Sequence, residues 1–322
     1  MAIEGKRIFV TGGAGFIATS LIERLVDAND VTVFDSFRRN ALAGTRLEHH
    51  PRLRVVTGDV LDAEALATAA AGHDTFVHAA AIAGVDTVIG DSVTAMKVNM
   101  LGTHNALEAA LRLDHCERFI NFSTSEVFGS LTYKSGEGDL TQMGAVGEAR
   151  WTYAVSKLAG EHLCHAYHKK HGLPVVTVRP FNIYGPGQVG EGAIHVFVTR
   201  AIANQELQIH GDGDQIRSWC YIDDIVNALL LALERPEAVG QCFNIGSPKG
   251  TVTIYGLALA VVRVCKSQSP IVFVPKTYVD VDLRVPNIDK ARRVLGYEPT
   301  VTLEEGLQRT AEWYRKAAAA QA

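Results

Sequence analysis

Several features that would narrow the role of this chain at once are missing. Its cysteines stand at 116, 164, 220, 242 and 265 with no CxxC pair, so neither a disulfide framework nor a zinc site is implied. No apolar run approaches the ~20 residues of a membrane span. The start, MAIEGKRIFVTGG, passes straight into a strand pattern without a signal-peptide core, so a cytoplasmic protein in a reducing compartment is expected. There is no long Lys/Arg run and the net charge is -4, which argues against nucleic-acid and anionic-membrane partners. No internal repeat is present, and the biased AAAAQA tail reads as a frayed end. What remains is 322 residues, 47% hydrophobic and 20% charged, enough for one large core or two intimate domains.

The first structured stretch is the most telling. Arg7-Ile8-Phe9-Val10 is a short apolar run, followed by Thr11-Gly12-Gly13-Ala14-Gly15-Phe16-Ile17-Ala18 and then a helical pattern. Strand, glycine turn and helix in this order suit a dinucleotide, whose pyrophosphate sits on the exposed N–H groups of the helix start. A second strand, Val31–Phe34, ends in Asp35, about 20 residues after the glycines and suited to a ribose 2′-OH. An acid there repels a 2′-phosphate, so NAD is favoured over NADP; the nearby Arg38 and Arg39 weaken that preference without reversing it.

The alternation goes on. Strands are expected at 53–56, 75–78, 118–122 and 175–178, with helical stretches between them, which argues for a doubly wound parallel sheet. Ligands of such sheets bind at the carboxyl ends of the strands. Asp59 and Val60 are thus candidates for the adenine edge, and Ala79 and Ala80 for room beside the pyrophosphate or nicotinamide. After Gly129 a polar loop of about twenty residues is expected, long enough to suggest function. Beyond residue 178 the regular pattern breaks into helices and short strands, among them 207–210 and 219–222, read as a smaller α/β domain woven back against the sheet.

Tyr153 and Lys157 lie four apart in an unbroken helical stretch, so both face the same way. A nearby ammonium favours phenolate over phenol, and moving a tyrosine from about 10 towards 7 takes roughly 4 kcal/mol. Such a pair is a base suited to an alcohol proton. His162, His165, His168 and His171 recur every third residue, but at about 100° per residue they fan across half a helix rather than converge, so no metal site is expected.

TGGAGFIA, Asp35, GDV, STSEVFG, YAVSK, RPFNIYGPG, GDGDQIRSWCYIDD and DVDLRVPNIDKARRVLGYEP follow one another along nearly the whole chain. In order and spacing they resemble the extended short-chain dehydrogenase/reductase family, in its NAD-dependent nucleotide-sugar epimerase/dehydratase group. The resemblance implies a Rossmann NAD-binding domain over 1–178, with returning segments at roughly 218–245, and a mainly nucleotide-sugar-binding domain over 179–322. It implies tightly bound NAD and no metal, with Gly12, Gly15, Phe16, Ile17, Asp35, Asp59, Val60, Ala79, Ala80, Asn99, Tyr153, Lys157 and Pro180 around the cofactor. Tyr153 would be the base, Lys157 its partner and ribose ligand, and Thr124 the hydroxyl at the sugar O4. Asn182 and Arg217 match diphosphate contacts, uridine is the expected base, and a homodimer through the helices holding Asn99 and Tyr153 is implied.

Oxidation at C4 opens three routes: epimerisation, 4,6-dehydration or, with a C6 carboxylate, decarboxylation. Thr124-Ser125-Glu126 resembles the decarboxylases and some dehydratases, but Ser125 stands where dehydratases of the dTDP-glucose type carry an aspartic acid. Arg150-Trp151-x-Tyr153 and Tyr278-x-Asp280-Val281-Asp282-x-Arg284-x-Pro286 look like the decarboxylase of the 4-amino-arabinose pathway. There the residues matching Glu126 and Arg284 belong to the active site, with Ser125, Arg150 and Arg284 facing the sugar. An arginine near C5 can hold a carboxylate and stabilise the enolate left by carbon dioxide. Two plainer roles stand beside this: Arg284 on the diphosphate and Glu126 as a loop anchor. UDP-glucuronate decarboxylation leads, 4-epimerisation and then dehydration follow, and a non-catalytic NAD-binding sensor is the rival from another class.

Overall fold

The computed structural model describes residues 3–276 and 279–321, so Tyr278 of the Asp280 motif lies outside the described residues. In chain order come β1 (Arg7–Thr11), α1 (Phe16–Leu25), β2 (Asp30–Asp35), β3 (Leu53–Thr57), α2 (Ala63–Ala70), β4 (Thr75–His78), α3 (Val85–Gly90), α4 (Ser92–Leu111) and β5 (Arg118–Phe122). Next are β6 (Leu131–Ser135), α5 (Ala149–His171), β7 (Val175–Pro180), β8 (Ile183–Tyr184), α6 (Ala193–Ile202), β9 (Leu207–His210), β10 (Ile216–Ser218) and β11 (Cys220–Tyr221). The remainder holds α7 (Ile222–Glu234), β12 (Cys242–Ile245), β13 (Thr251–Thr253), α8 (Ile254–Cys265), β14 (Ile271–Val274), β15 (Leu283–Pro286), α9 (Asp289–Leu295) and α10 (Leu303–Gln321).

Seven strands form one parallel sheet in the order β12-β7-β5-β4-β1-β2-β3. This is a Rossmann-type doubly wound sheet. Its strands bury both faces because alternate residues point to opposite sides. Ile8, Val10, Val33, Val77 and Ile120 face a core shared with α1 and α7. Phe9, Phe34, Phe76 and Phe119 face a second core shared with α2, α4 and α5. The rings run across the strands: Phe9 and Phe76 lie 5.0 Å apart, and Phe76 stacks on Phe119 at 5.1 Å. Such pairs add about 0.5–1.5 kcal/mol each beyond their burial.

A smaller mixed sheet, β13-β10-β15-β6, stands beside the carboxyl edge of the large one. β10 and β15 run parallel with Arg217 opposite Arg284, which sets two guanidiniums on neighbouring strands. β6 is a correction to the long loop expected after Gly129. Its apolar residues Leu131 and Tyr133 point outwards, each 64% exposed, so no buried alternation marks it in the sequence. The expected strand at 219–222 is shorter, because Ile222 opens α7 with Asp223 and Asp224 in its first turn. Among the described residues no helix is long and apolar enough to cross a membrane.

The order reverses between β1 and β4, where a doubly wound sheet opens a crevice. Gly12 turns the chain there at φ +70, and a Cβ on it would lie 2.5 Å from the Ala80 backbone nitrogen. Gly12→Ala is therefore expected to cost about 1–3 kcal/mol through overpacking on top of the left-handed strain. Urea unfolding of the two proteins measures it.

Candidate active site

Two cavities open along the carboxyl edge of the large sheet. The smaller, about 380 Å³, is walled by Gly12, Gly15, Phe16, Asp35, Asp59, Val60, Ala79 and Ala80, together with Arg38 and Arg39. Its floor is built for close approach. A Cβ on Gly58 would fall 2.2 Å from the Phe34 ring, and α1 starts at Gly15 with no side-chain cap and no acid in its first turn. The N–H groups at that helix start therefore have no competing anion from the chain. Asp35 ties the turn to β2, accepting from Ala14 N at 2.9 Å and Phe37 N at 2.7 Å. Burial pushes its carboxyl up, with those backbone donors opposing. These features fit a dinucleotide: an uncapped helix start for the pyrophosphate and a carboxylate at the end of β2 for the ribose.

Five of the expected cofactor residues are not on this wall, Tyr153 among them, which lines the larger cavity. Ile17 packs into the core beneath α1. Pro180 is on the wall of the larger cavity. Asn99 is 1% exposed and works as a brace: it pairs with Ile82 N and O at 2.8 and 3.1 Å and donates to Ser156 Oγ at 3.0 Å. It thereby joins the segment after β4 to the helix of Tyr153. Lys157 is 4% exposed and on neither wall; burial lowers its ammonium to about 8, with Cys164 and Glu161 opposing.

The larger cavity, about 660 Å³, is walled by Thr124, Ser125, Glu126, Arg150, Tyr153, Pro180, Asn182, Arg217 and Asp280 among others. Each is there for a local reason. Thr124 lies just beyond β5 and caps the single turn Ser125–Phe128, its Oγ1 accepting from Glu126 N at 3.2 Å. Asn182 takes the left-handed region at φ 43 and donates to Ser218 O at 3.0 Å, closing the exit of β7 onto the small sheet. Arg150 and Tyr153 leave the first turns of α5.

Charge is concentrated on one wall. Glu126 accepts from Arg284 Nη1 at 2.6 Å and from Arg150 Nη2 at 3.1 Å, while Asp280 pairs with Arg150 at 2.9 Å and Arg217 at 3.1 Å. Burial opposes ionisation of Glu126, but Arg284 and then Arg150 outweigh it and hold the carboxyl down at about 2. Arg284 is 1% exposed, bridges Glu126 and the Gly129 carbonyl, the latter at 2.7 Å, and stands behind the residues that line the cavity. Burial lowers Arg217 to about 10, with Asp280 opposing. For Tyr153, burial and then the Glu126 carboxylate push the phenol up to about 12, while a hydrogen bond to Thr124 works the other way. The chain by itself thus keeps Tyr153 neutral.

Sequence reasoning passed over Asp280 as a site residue and missed Glu161 altogether. Glu161 accepts from Arg179 at 2.8 and 2.7 Å and from Ser123 Oγ, directly behind Thr124. It stands four residues after Lys157 on α5, the same spacing that singled out the Tyr153–Lys157 pair, so the signal was available. Among the described residues no group of three or more His, Cys, Asp or Glu could hold a metal ion, and His168 instead bonds the Leu173 carbonyl at 2.8 Å.

Residues 8–246 match the NAD dependent epimerase/dehydratase family. The chain belongs to that family. Within it, the chain is 35% identical to a UDP-N-acetyl-alpha-D-glucosaminuronate decarboxylase of Bacillus cytotoxicus, over 97% of this chain and 98% of that one. It is 34% identical to a dTDP-glucose 4,6-dehydratase of Streptomyces niveus, over 96% and 93%. It also superposes with a TM-score of 0.86 on the UDP-glucuronic acid 4-epimerase of Bacillus cereus solved with UDP-glucuronic acid and NAD, at 32% identity over 97% and 99%. Epimerase/dehydratase relatives thus carry all three outcomes on one fold.

Because Glu126 is held ionised, its stability contribution is present above the ordinary carboxyl range and is lost as pH falls towards about 2. Glu126→Gln leaves the buried Arg284 guanidinium without its carboxylate, while Arg150 keeps Asp280, and is expected to cost about 3 kcal/mol at neutral pH. It should also remove part of the acid-induced loss below pH 4.5. Denaturation curves from neutral to acid pH, wild type against variant, check both.

Proposed function

We propose that this chain is an NAD-dependent enzyme that oxidises a UDP-uronate at C4 and then removes its C6 carboxylate as carbon dioxide, with UDP-glucuronate as the leading substrate. The observation that carries the reading is Glu126. A carboxylate held at about 2 by two arginines is a poor proton donor and a poor base, and Ser125 beside it is no acid. Dehydration needs a donor for the leaving C6 hydroxyl; decarboxylation and epimerisation need none. Arg150 and Arg217 on the wall then supply positive charge for a carboxylate and a diphosphate. The uronic acid in the names of two of the relatives points the same way.

In this reading Gly12, Gly15, Asp35, Asp59 and the alanines after β4 hold NAD, which supplies the hydride acceptor at C4 and a cationic ring that favours the tyrosinate. Tyr153 takes the O4 proton, with Thr124 sharing the oxygen and Lys157, backed by Glu161, kept cationic beneath them. The resulting β-keto acid breaks its C5–C6 bond. The electron pair moves into a C4–C5 enolate facing Arg150, a proton from solvent adds at C5, and return of the hydride to C4 gives the UDP-pentose. Arg284 acts by position, fixing Glu126. 4-Epimerisation of the same uronate is the second reading, supported by the likeness to the Bacillus cereus enzyme.

The cofactor segment is assigned to 1–178 with 218–245 and the nucleotide-sugar segment mainly to 179–322, and five unpaired cysteines suit a reducing cytosol. A homodimer through α4 and α5 is supported by Val93, Leu101 and Val155, exposed by 66%, 51% and 38% on those helices. Sedimentation equilibrium at twice the chain mass is the expected result.

Incubation with UDP-glucuronate, and in parallel UDP-N-acetylglucosaminuronate, tests the reaction. Carbon dioxide with a UDP-pentose or its 4-ketone is expected; an intact uronate with inverted C4 would move the chain to the epimerases. Tyr153→Phe is expected to lower turnover by roughly 10²–10⁴-fold while leaving NAD bound. Near wild-type turnover in that variant would remove Tyr153 from the chemistry.

A further inference from the structure

The segment after β8 crosses between the two cavities, and one of its side chains is tied to both sides. Val189 lies on the wall of the cofactor cavity and Glu191 on the wall of the larger one. The Glu191 carboxylate accepts from Asp86 N at 3.0 Å, Thr87 N at 3.0 Å and Thr87 Oγ1 at 2.6 Å. It also lies 3.7 Å from Arg39 Nη2. Arg39 follows Asp35 by four residues, and the same Nη2 donates to the Ala83 carbonyl at 3.1 Å. The loops after β2 and β8 and the first turn of α3 therefore meet on one carboxylate.

The joint is built for this approach. A Cβ on Gly84, at φ +108, would stand 2.6 Å from Glu191 Oε1. A Cβ on Gly190, at φ +84, would stand 2.5 Å from the Arg39 guanidinium. Both glycines take left-handed backbone that other residues rarely adopt, and both clear space for the same ion pair. None of these groups takes part in the C4 chemistry above, and a carboxylate with this many donors is costly to pull away.

We propose that Glu191 is a positioning residue that straps the two loops and the start of α3 across the mouth of the cofactor cavity and retains NAD through the catalytic cycle. The inference rests on the NAD-dependent reading and deepens it. A reaction that takes a hydride at C4 and returns it to the ketone needs the same reduced cofactor to stay in place between the two transfers. A strap that opened freely would release NADH and leave the 4-ketone unreduced.

Holoenzyme is mixed with an excess of the fluorescent analogue etheno-NAD, and the rate at which it replaces bound NAD is recorded. Glu191→Ala is expected to exchange at least about tenfold faster than wild type, the factor carried by one hydrogen bond, with Glu191→Gln between the two. Thr87→Val, which loses only one donor, should show a smaller increase in the same direction and guards against misfolding of the first variant. Thermal unfolding separates retention from simple loss of structure: faster exchange at a near-unchanged melting temperature supports the strap. Exchange within about twofold of wild type in folded Glu191→Ala and Thr87→Val would overturn it. If wild-type protein itself carries no NAD, the cofactor reading falls and the strap falls with it, an outcome separate from fast exchange in the variants alone.

Discussion

Glu126 and Asp280 between them hold three guanidiniums, Arg150 and Arg217 on one wall of the larger cavity and Arg284 behind it. That arrangement governs the rest of the site. Charges taken out of water this far are tolerated only in balance, so the two carboxylates fix where the arginines stand. The balance leaves one positive charge over, on a wall a nucleotide-sugar would face. The same pairing sets what Glu126 can do: it keeps its charge across the working pH range and serves as a counter-ion rather than as an acid. It also bears on Tyr153, whose ionisation it opposes, so the chain alone keeps that phenol protonated.

Behind this wall a second buried pair, Glu161 with Arg179, supports the catalytic helix from the other side. It reaches Ser123, next to Thr124, and lies one turn beyond Lys157, so the residues that would meet O4 are held from both the strand and the helix. Asn99 adds a third brace between the segment after β4 and α5. Thr124, Tyr153 and Lys157 thus sit on braced elements, while the polar joint at Glu191 ties together segments that border both cavities. Precision lies in the first set and closure in the second.

Much of this was legible in the chain. The glycine turn, Asp35 and the alternating apolar runs are local signals, and Gly12, Asp35, Asp59 and Ala80 meet around one cavity because each follows a strand of a parallel sheet. Tyr153 and Lys157 were placed on one helix by their spacing, as α5 shows. β6 was not, since its apolar residues point to solvent. Arg284 was visible as a charged residue in a suggestive motif, but whether it faced the sugar or stood behind Glu126 depended on β15 lying between β10 and β6.

The sequence by itself determined the fold class and the crevice at the glycine turn, because both follow from periodicities of two and 3.6 residues and from turns only glycine can make. Tertiary structure decided the charge partners. Glu126 and Arg284 are 158 residues apart, Arg217 and Asp280 are 63 apart, and Glu191 meets Thr87 across 104. No local pattern specifies such pairs. Burial of ionised groups does, since each must find an opposite charge within reach once the sheets have closed around it.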